Sequence, residues 1–299
     1  MRLPHLLGNE RLKAALSPLR GDSFGSAALL EGPAGCGKRT AARDIAMGLL
    51  CREENAPCLS CPACRRVLAG THPDLQTLLP EEGKKGVSVE QIRDLRAQSF
   101  LRPSEGVTKV FVIPEADKLN PQSQNALLKV LEEPEETIFL LLCENRGLLL
   151  PTVRSRCRFF AVEPLPEPEA AAALTKRGLA PARARELAAA AGGSLGRALA
   201  LAEGAEDKPR EAAQHFLGAL EQDELALFAA CLELGKLGRD DYAAFCDESC
   251  RLLAEKCRAT GDRRTVRIFD YLEKQQAMLT QNPSVSALAG ALAAYCAAP

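Results

Sequence analysis

Tryptophan is absent from this 299-residue sequence, and aromatic residues of all kinds make up only 4% of it. Proteins that hold single-stranded nucleic acid without sequence preference stack the bases on such rings, so the composition argues against that mode of binding. A dominant charge is missing too, with 38 Lys and Arg set against 39 Asp and Glu. Without a global basic field, attraction to a phosphate backbone has to come from a local patch or a basic partner. Apolar residues nowhere run for the ~20 positions that a membrane-spanning helix needs. The first sixteen residues, MRLPHLLGNERLKAAL, lack the apolar core and small-residue cleavage site of a secretion signal. A cytoplasmic location is expected.

Cysteine, by contrast, is plentiful, with 12 in the chain. In a reducing compartment disulfides are rare, and clustered thiols read first as metal ligands. Cys51, Cys58, Cys61 and Cys64 form C-x6-C-x2-C-x2-C, a spacing that can close a tetrahedron of thiolates around Zn²⁺. Asn55, Pro57 and Pro62 supply turn chemistry between these ligands. An iron–sulfur cluster is the chemical rival, since C-x2-C-x2-C also begins a ferredoxin run; against it, no cysteine stands three residues after Cys64. His72 follows closely, but the four-cysteine set is already complete, and it reads as a polar loop residue before Pro73. Cys246, Cys250 and Cys257 share a helical face and read as core packing, where thiols act as small hydrophobes.

The first half of the chain alternates strand and helix patterns. Apolar runs at Ala27–Leu30, Val110–Ile113, Ile138–Leu142 and Phe159–Val162, with a further strand over Asp74–Leu79, alternate with helical periods. One helix is predicted over Val89–Phe100, facing inward through Ile92, Leu95 and Phe100. Another runs over Asn120–Glu133, facing inward through Ala126, Leu127, Val130 and Leu131 and stopped by Pro134. Strands alternating with helices predict a parallel sheet covered on both faces. Three prolines within residues 163–168 read as a linker. Beyond it the helical periods break at Gly178, at Gly192-Gly193 and near Gly204, and after Pro209 longer helices run to the end. The expected organisation is an α/β core over 1–163 carrying the cysteine module at about 51–64, a small helical domain over 164–206, and an all-helical domain over 207–299.

Two stretches carry phosphate chemistry. GPAGCGKRT, Gly32 to Thr40, follows the first apolar strand and opens a helix. It matches G-x-x-x-x-G-K, in which backbone N–H groups and a helix N-terminus cradle phosphates. Gly32, Gly35, Gly37, Lys38 and Thr40 are therefore candidate residues of a degenerate nucleotide site. The hydroxyl that should ligate Mg²⁺ right after the lysine is replaced by Arg39, and Thr40 comes one residue, or about 100° of helix, too late. At the end of the strand KVFVI an acid should hold the metal; Pro114 stands there, with Glu115 in the position of the water-orienting acid. With both Mg²⁺ positions gone, phosphoryl transfer loses its main charge stabiliser. Weak ATP or ADP binding, or none, and no hydrolysis are expected.

The segment NALLKVLEEPEETIFLLLCENRGLLLPTVRSRC, Asn125 to Cys157, resembles the clamp-loader branch of the AAA+ proteins, where N-A-L-L-K-x-L-E-E-P leads through a strand to S-R-C. The cysteine knuckle after the first helix, THPD at Thr71–Asp74, and the tail from Asn282 to Tyr295 are similar to that family as well. The resemblance implies an AAA+ core with a zinc-knuckle insertion, a helical lid and a helical collar. It also implies that Arg156, at Ser155-Arg156-Cys157, acts as an arginine finger in trans on a neighbour's ATP; Arg154 and Arg158 flank it and compete for that role. Within the family, Arg39, Pro114, the chain length and the sensor position falling at Cys143 or Glu144 look like the non-hydrolysing delta-prime type. The ATP-hydrolysing gamma/tau type is the alternative, and an unrelated zinc-containing nucleotide-binding regulator is the rival from another class. The partners so implied are gamma/tau and delta subunits in a hetero-pentamer, with the sliding clamp and primed DNA reached through the assembly.

Overall fold

Five short segments are extended: β1 (Ala27–Glu31), β2 (Leu75–Thr77), β3 (Lys109–Ile113), β4 (Thr137–Cys143) and β5 (Arg158–Ala161). In this computed structural model, which describes residues 1–19, 23–81, 86–105, 108–132, 136–204, 208–260, 262–279 and 283–297, they form one parallel sheet of order β2-β3-β4-β1-β5. Every residue of β4 is buried, which is why Ile138–Cys143 reads as an unbroken apolar run rather than an alternating one, while the buried Thr137 hydroxyl at its start donates to the Ser99 carbonyl (3.0 Å). Successive side chains point to opposite faces, and the two faces have separate cores. Ala28, Leu30, Val112, Leu140 and Leu142 pack with Ile45 and Met47 of α2 (Lys38–Leu50), Val67 of α3 (Pro62–Ala69) and Leu16 of α1 (Glu10–Leu16). Leu29, Phe111, Ile113, Phe139 and Leu141 pack with Ile92 and Leu95 of α4 (Val89–Ser99), Leu127 and Val130 of α5 (Pro121–Glu132) and Val153 of α6 (Pro151–Arg154).

Three local expectations are corrected. β2 is three residues long, because Asp74 is not a strand residue but a buried anchor whose carboxylate accepts the amides of Ser104 (2.6 Å) and Glu105 (2.9 Å). Phe100 does not join the inward face of α4; it follows the last helical residue, is 44% exposed, and lies 5.7 Å from the guanidinium carbon of Arg96. The prolines over 163–168 end a linker and begin a helix: Pro166 is the N-cap of α7 (Glu167–Lys176) and Pro168 sits in its first turn, where a missing N–H has no helical partner to lose. Pro134, Asn282 and the expected boundary at 206/207 lie outside the described residues.

α7, α8 (Pro181–Ala190) and α9 (Leu195–Ala202) share a small core of Leu165, Leu174, Leu187 and Ala198. They belong with the sheet to one compact unit, Met1–Gly204; Ala205–Pro299 is a second. The second unit contains α10 (Lys208–Leu220), α11 (Glu224–Leu234), α12 (Arg239–Thr260), α13 (Arg263–Met278) and α14 (Val285–Ala297). Phe216, Leu227, Phe245, Leu272 and Leu292 fill its core. The buried Tyr242 hydroxyl donates to Gln275 Oε1 (2.8 Å), and Gln275 Nε2 donates to the Leu288 carbonyl (2.8 Å), so this polar pair is satisfied rather than stranded. Cys246 is fully buried here and Cys250 packs against the same core. No helix among the described residues is long and apolar enough to cross a membrane.

Candidate functional sites: phosphate loop, thiol cluster and exposed arginine

The loop from Gly32 to Gly37 joins the C-terminal end of β1 to α2, with Gly35 (φ +73°) and Gly37 (φ +108°) in the left-handed region that glycine adopts without a steric cost. Its lysine is turned inward: Lys38 Nζ donates to the carbonyls of Gly32 and, at 2.9 Å, Pro33. The three-helix cap is fastened to the same loop. Ser194 Oγ donates to the Ala34 carbonyl (2.6 Å), and the Gly196 amide donates to the Gly35 carbonyl (2.9 Å). The approach is so close that a Cβ on Gly35 would lie 2.6 Å from the Arg197 backbone nitrogen.

The acids expected near a phosphate loop are otherwise occupied. Arg39 and Glu115 face each other across 3.9 Å, both well exposed, and Lys118 Nζ lies 3.3 Å from the Glu115 carboxylate. Pro114 is buried at the end of β3 and offers no ligand atom. Asp117 accepts the amides of Glu144 (2.8 Å) and Asn145 (3.0 Å), so it fixes the turn after β4. Cys143, at the expected sensor position, is fully buried, and burial pushes its thiol up to about 12. Thr40 lies within α2 and is half-buried.

The four cysteines do come together. Their sulfurs all lie within 4.8 Å of one another, Cys51 and Cys61 at 3.9 Å, and all four are free thiols. A tetrahedral set of ~2.3 Å Zn–S bonds spaces its sulfurs about 3.8 Å apart, so the cluster is close to that size. Cys51 caps the C-terminus of α2, and Cys61 is the N-cap of α3 with its Sγ accepting the Cys64 amide (3.4 Å). The Cys61 amide likewise donates to Cys58 Sγ (3.3 Å). Amides aimed at sulfur favour the thiolate form. A hydrogen bond from the Ser60 hydroxyl and the neighbouring amides bring Cys58 down to about 6, whereas burial pushes Cys64 up to about 12. Thiolates in the buried half of such a set are stable only beside a cation, so the donors fit a bound metal ion. His72 lies in the loop before Pro73, outside the thiol group, and is buried there, its Nδ1 accepting the Asp74 amide (3.1 Å).

Arg156 lies in the turn between α6 and β5. Arg158, two residues on, is in register with Ala28 near the start of β1, four residues before Gly32. At ~3.3 Å per residue the phosphate loop is about 13 Å or more farther along the strand direction. Arg156 and its own chain's loop are therefore at opposite ends of the sheet. Its guanidinium donates to Glu132 Oε1 (2.7 Å) and the Thr152 carbonyl (2.9 Å). Arg158 is engaged by the Ser23 carbonyl (3.2 Å), and the Arg154 Nε is buried without a partner.

Sequence reasoning missed Ser194, Gly196, Glu132 and Asp44. Asp44 is fully buried in α2 and accepts from His5 Nδ1 (2.6 Å) and the amides of His5 (2.8 Å) and Leu6 (3.2 Å). One signal for it was available: it is an acid within AARDIAMGLL, where every other residue except Arg43 is small or apolar.

The sheet is parallel, a glycine loop joins β1 to α2, and a helical cap is seated on that loop, so the first unit is a parallel α/β module. The chain belongs to the family described as DNA polymerase III, delta subunit, whose sequence model matches residues 9–166. It is 43% identical over 174 residues to the Pseudomonas aeruginosa protein named DNA polymerase III subunit delta′, covering 56% of this chain and 52% of that one. The Escherichia coli protein of that name is 36% identical over 207 residues, 68% of this chain and 61% of its own. A Mycobacterium tuberculosis DNA polymerase III subunit gamma/tau is 32% identical over 165 residues, 54% of this chain and 28% of its own. The chain thus spans about half to three fifths of the length of these delta′ relatives. The family agrees with the clamp-loader resemblance read from Asn125–Cys157.

Proposed function

We propose that this chain is a delta′-type clamp-loader subunit that does not hydrolyse ATP and that supplies Arg156 to the nucleotide site of a neighbouring gamma/tau subunit. The observation that carries the reading is the separation of Arg156 from the chain's own phosphate loop by the length of the sheet, which suits an arginine directed at another subunit. Arg39 in place of the hydroxyl and Pro114 in place of the acid support the absence of intrinsic turnover. A guanidinium delivered in trans neutralises charge on the transferring phosphoryl group, and its planar fork does so better than a lysine. The assembly is read as a hetero-pentamer with gamma/tau and delta subunits, which uses ATP bound by the partners to open a sliding clamp and load it on primed DNA. Zn²⁺ is the metal proposed for Cys51, Cys58, Cys61 and Cys64, where it closes a module too small for a core of its own.

The test is reconstitution with gamma/tau and delta subunits. Arg156→Ala should assemble normally and lower clamp- and DNA-stimulated ATPase. The supplied arginine is worth about 10³–10⁵ at a fully dependent site, so the loss should approach the share of the one site it serves. Arg156→Lys should recover little of it. Wild-type ATPase and loading by an assembled Arg156→Ala complex would refute the donor role. Turnover by the isolated chain that vanishes in Lys38→Ala would refute the non-hydrolysing reading.

A further inference from the structure

The side chain of Arg156 is 35% exposed, yet both of its terminal nitrogens are hydrogen-bonded. Three elements converge on it: the last residue of α5 contributes Glu132, α6 contributes the Thr152 carbonyl, and the turn before β5 carries the arginine itself. Nη2 donates to Glu132 Oε1 at 2.7 Å and Nη1 donates to the Thr152 carbonyl at 2.9 Å. These bonds use different terminal nitrogens, so together they fix both the position and the plane of the guanidinium. An arginine has five N–H donors, and two bonds leave three for another acceptor. The Ser155 hydroxyl also donates to the Thr152 carbonyl, at 3.1 Å, tying the same turn to α6. An ion pair this exposed, with Glu132 at 48%, contributes little to folding stability. Its consequence is orientation: a long, rotamer-rich side chain is held in one attitude before it meets a phosphate.

We propose that Glu132 is a positioning residue for Arg156, holding the guanidinium plane in the attitude in which it is presented to the neighbouring subunit's triphosphate. This role rests on the reading of Arg156 as a donor in trans. The interaction acts through a hydrogen-bond acceptor at Oε1, so an amide oxygen in the same place substitutes for it and a methyl group does not.

The experiment is a double-variant cycle on the reconstituted gamma/tau–delta complex, reading kcat and KM for ATP under clamp and primed DNA. Losing one charge-assisted hydrogen bond that orients the reacting charge corresponds to about a tenfold drop in rate at the served site. Glu132→Ala should therefore reproduce about nine tenths of the kcat loss caused by Arg156→Ala, with KM and assembly unchanged. Glu132→Gln should restore more than half of that loss. In the Arg156→Ala background, Glu132→Ala should have no further effect. If Arg156→Ala lowers kcat and Glu132→Ala does not, the positioning role is wrong while the donor reading stands. If Glu132→Ala lowers kcat equally with and without Arg156, or disrupts assembly, Glu132 is structural and the proposal fails. If Arg156→Ala itself has no effect, the donor reading fails and the positioning role falls with it.

Discussion

Replacing Gly35 with alanine should loosen the helical cap on the phosphate loop. Two costs arise and can be separated. The first is backbone strain: at φ +73° an L-residue loses about 1–2 kcal/mol. The second is a collision, because the new Cβ would lie 2.6 Å from the Arg197 backbone nitrogen and 2.7 Å from Ser194 Oγ, and the start of α9 must move away. Moving it breaks the Gly196 N–H to Gly35 carbonyl bond and the Ser194 Oγ to Ala34 carbonyl bond. Such bonds are worth about 0.5–1.5 kcal/mol each. Cap docking should weaken by about 2 kcal/mol, and opening should become about 30-fold more frequent. Native-state hydrogen exchange reads this directly as lost protection of the Gly196 amide. Gly178→Ala is the control: it lies in the same cap at φ +98° with nothing within 4 Å of its Cβ position, so it bears the strain without the collision. Equal protection of the Gly196 amide in the two variants would refute the contact argument.

Two further outcomes follow from other parts of the fold. Elemental analysis should find about one zinc per chain and almost no iron, and Cys61→Ser should abolish zinc binding while the sheet stays folded on its own core. A chain that binds no metal as purified and after anaerobic zinc addition would overturn the assignment. His72 is buried and its Nδ1 must stay unprotonated to accept the Asp74 amide; burial lowers its pKa below the ordinary 6.5, against the opposing pull of Asp74 and Glu105. Because the unfolded chain then binds a proton that the folded chain refuses, the stability His72 contributes is complete above 6.5 and is lost as the pH falls toward the folded pKa. The stability gap between the wild type and His72→Gln, measured by urea unfolding, should narrow below about pH 6.5; a gap independent of pH would contradict this.

What could be read from the sequence was what short-range pattern encodes. β3 and β4 were legible because strands buried on both faces are apolar at nearly every position, here all but the first residue of each, and the glycine breaks at 178, 192 and 193 marked the ends of the cap helices. The cysteine cluster was legible because its ligands lie within fourteen residues of one another. The ends of elements were not so clear: Pro166 and Pro168 look the same in a linker as in a helix start, and Phe100 has the spacing of a core residue but follows the point where α4 stops. Hardest to foresee were contacts between distant residues. Ser194 and Ala34 are 160 positions apart, Arg156 and Glu132 are joined only after β4 intervenes, and nothing in the local pattern at 72–74 says that a histidine and an aspartate are buried.

The glycines of the phosphate loop have a bearing on how such motifs should be counted in other sequences. A Cβ on Gly32 would lie 2.1 Å from the Val162 carbonyl oxygen, one on Gly35 would strike α9, and one on Gly37 would lie 2.9 Å from Leu6 Cδ1. Backbone packing demands glycine at 32 and 35, and at 37 the backbone angle of +108° favours it more than the yielding leucine tip does, whatever the loop binds. A chain that gave up nucleotide would keep the spacing G-x-x-x-x-G and still look, to a pattern search, like one that uses it. Position 39 is different: its side chain is 73% exposed and packing asks nothing of it, so the residue found there is free to report on the ligand.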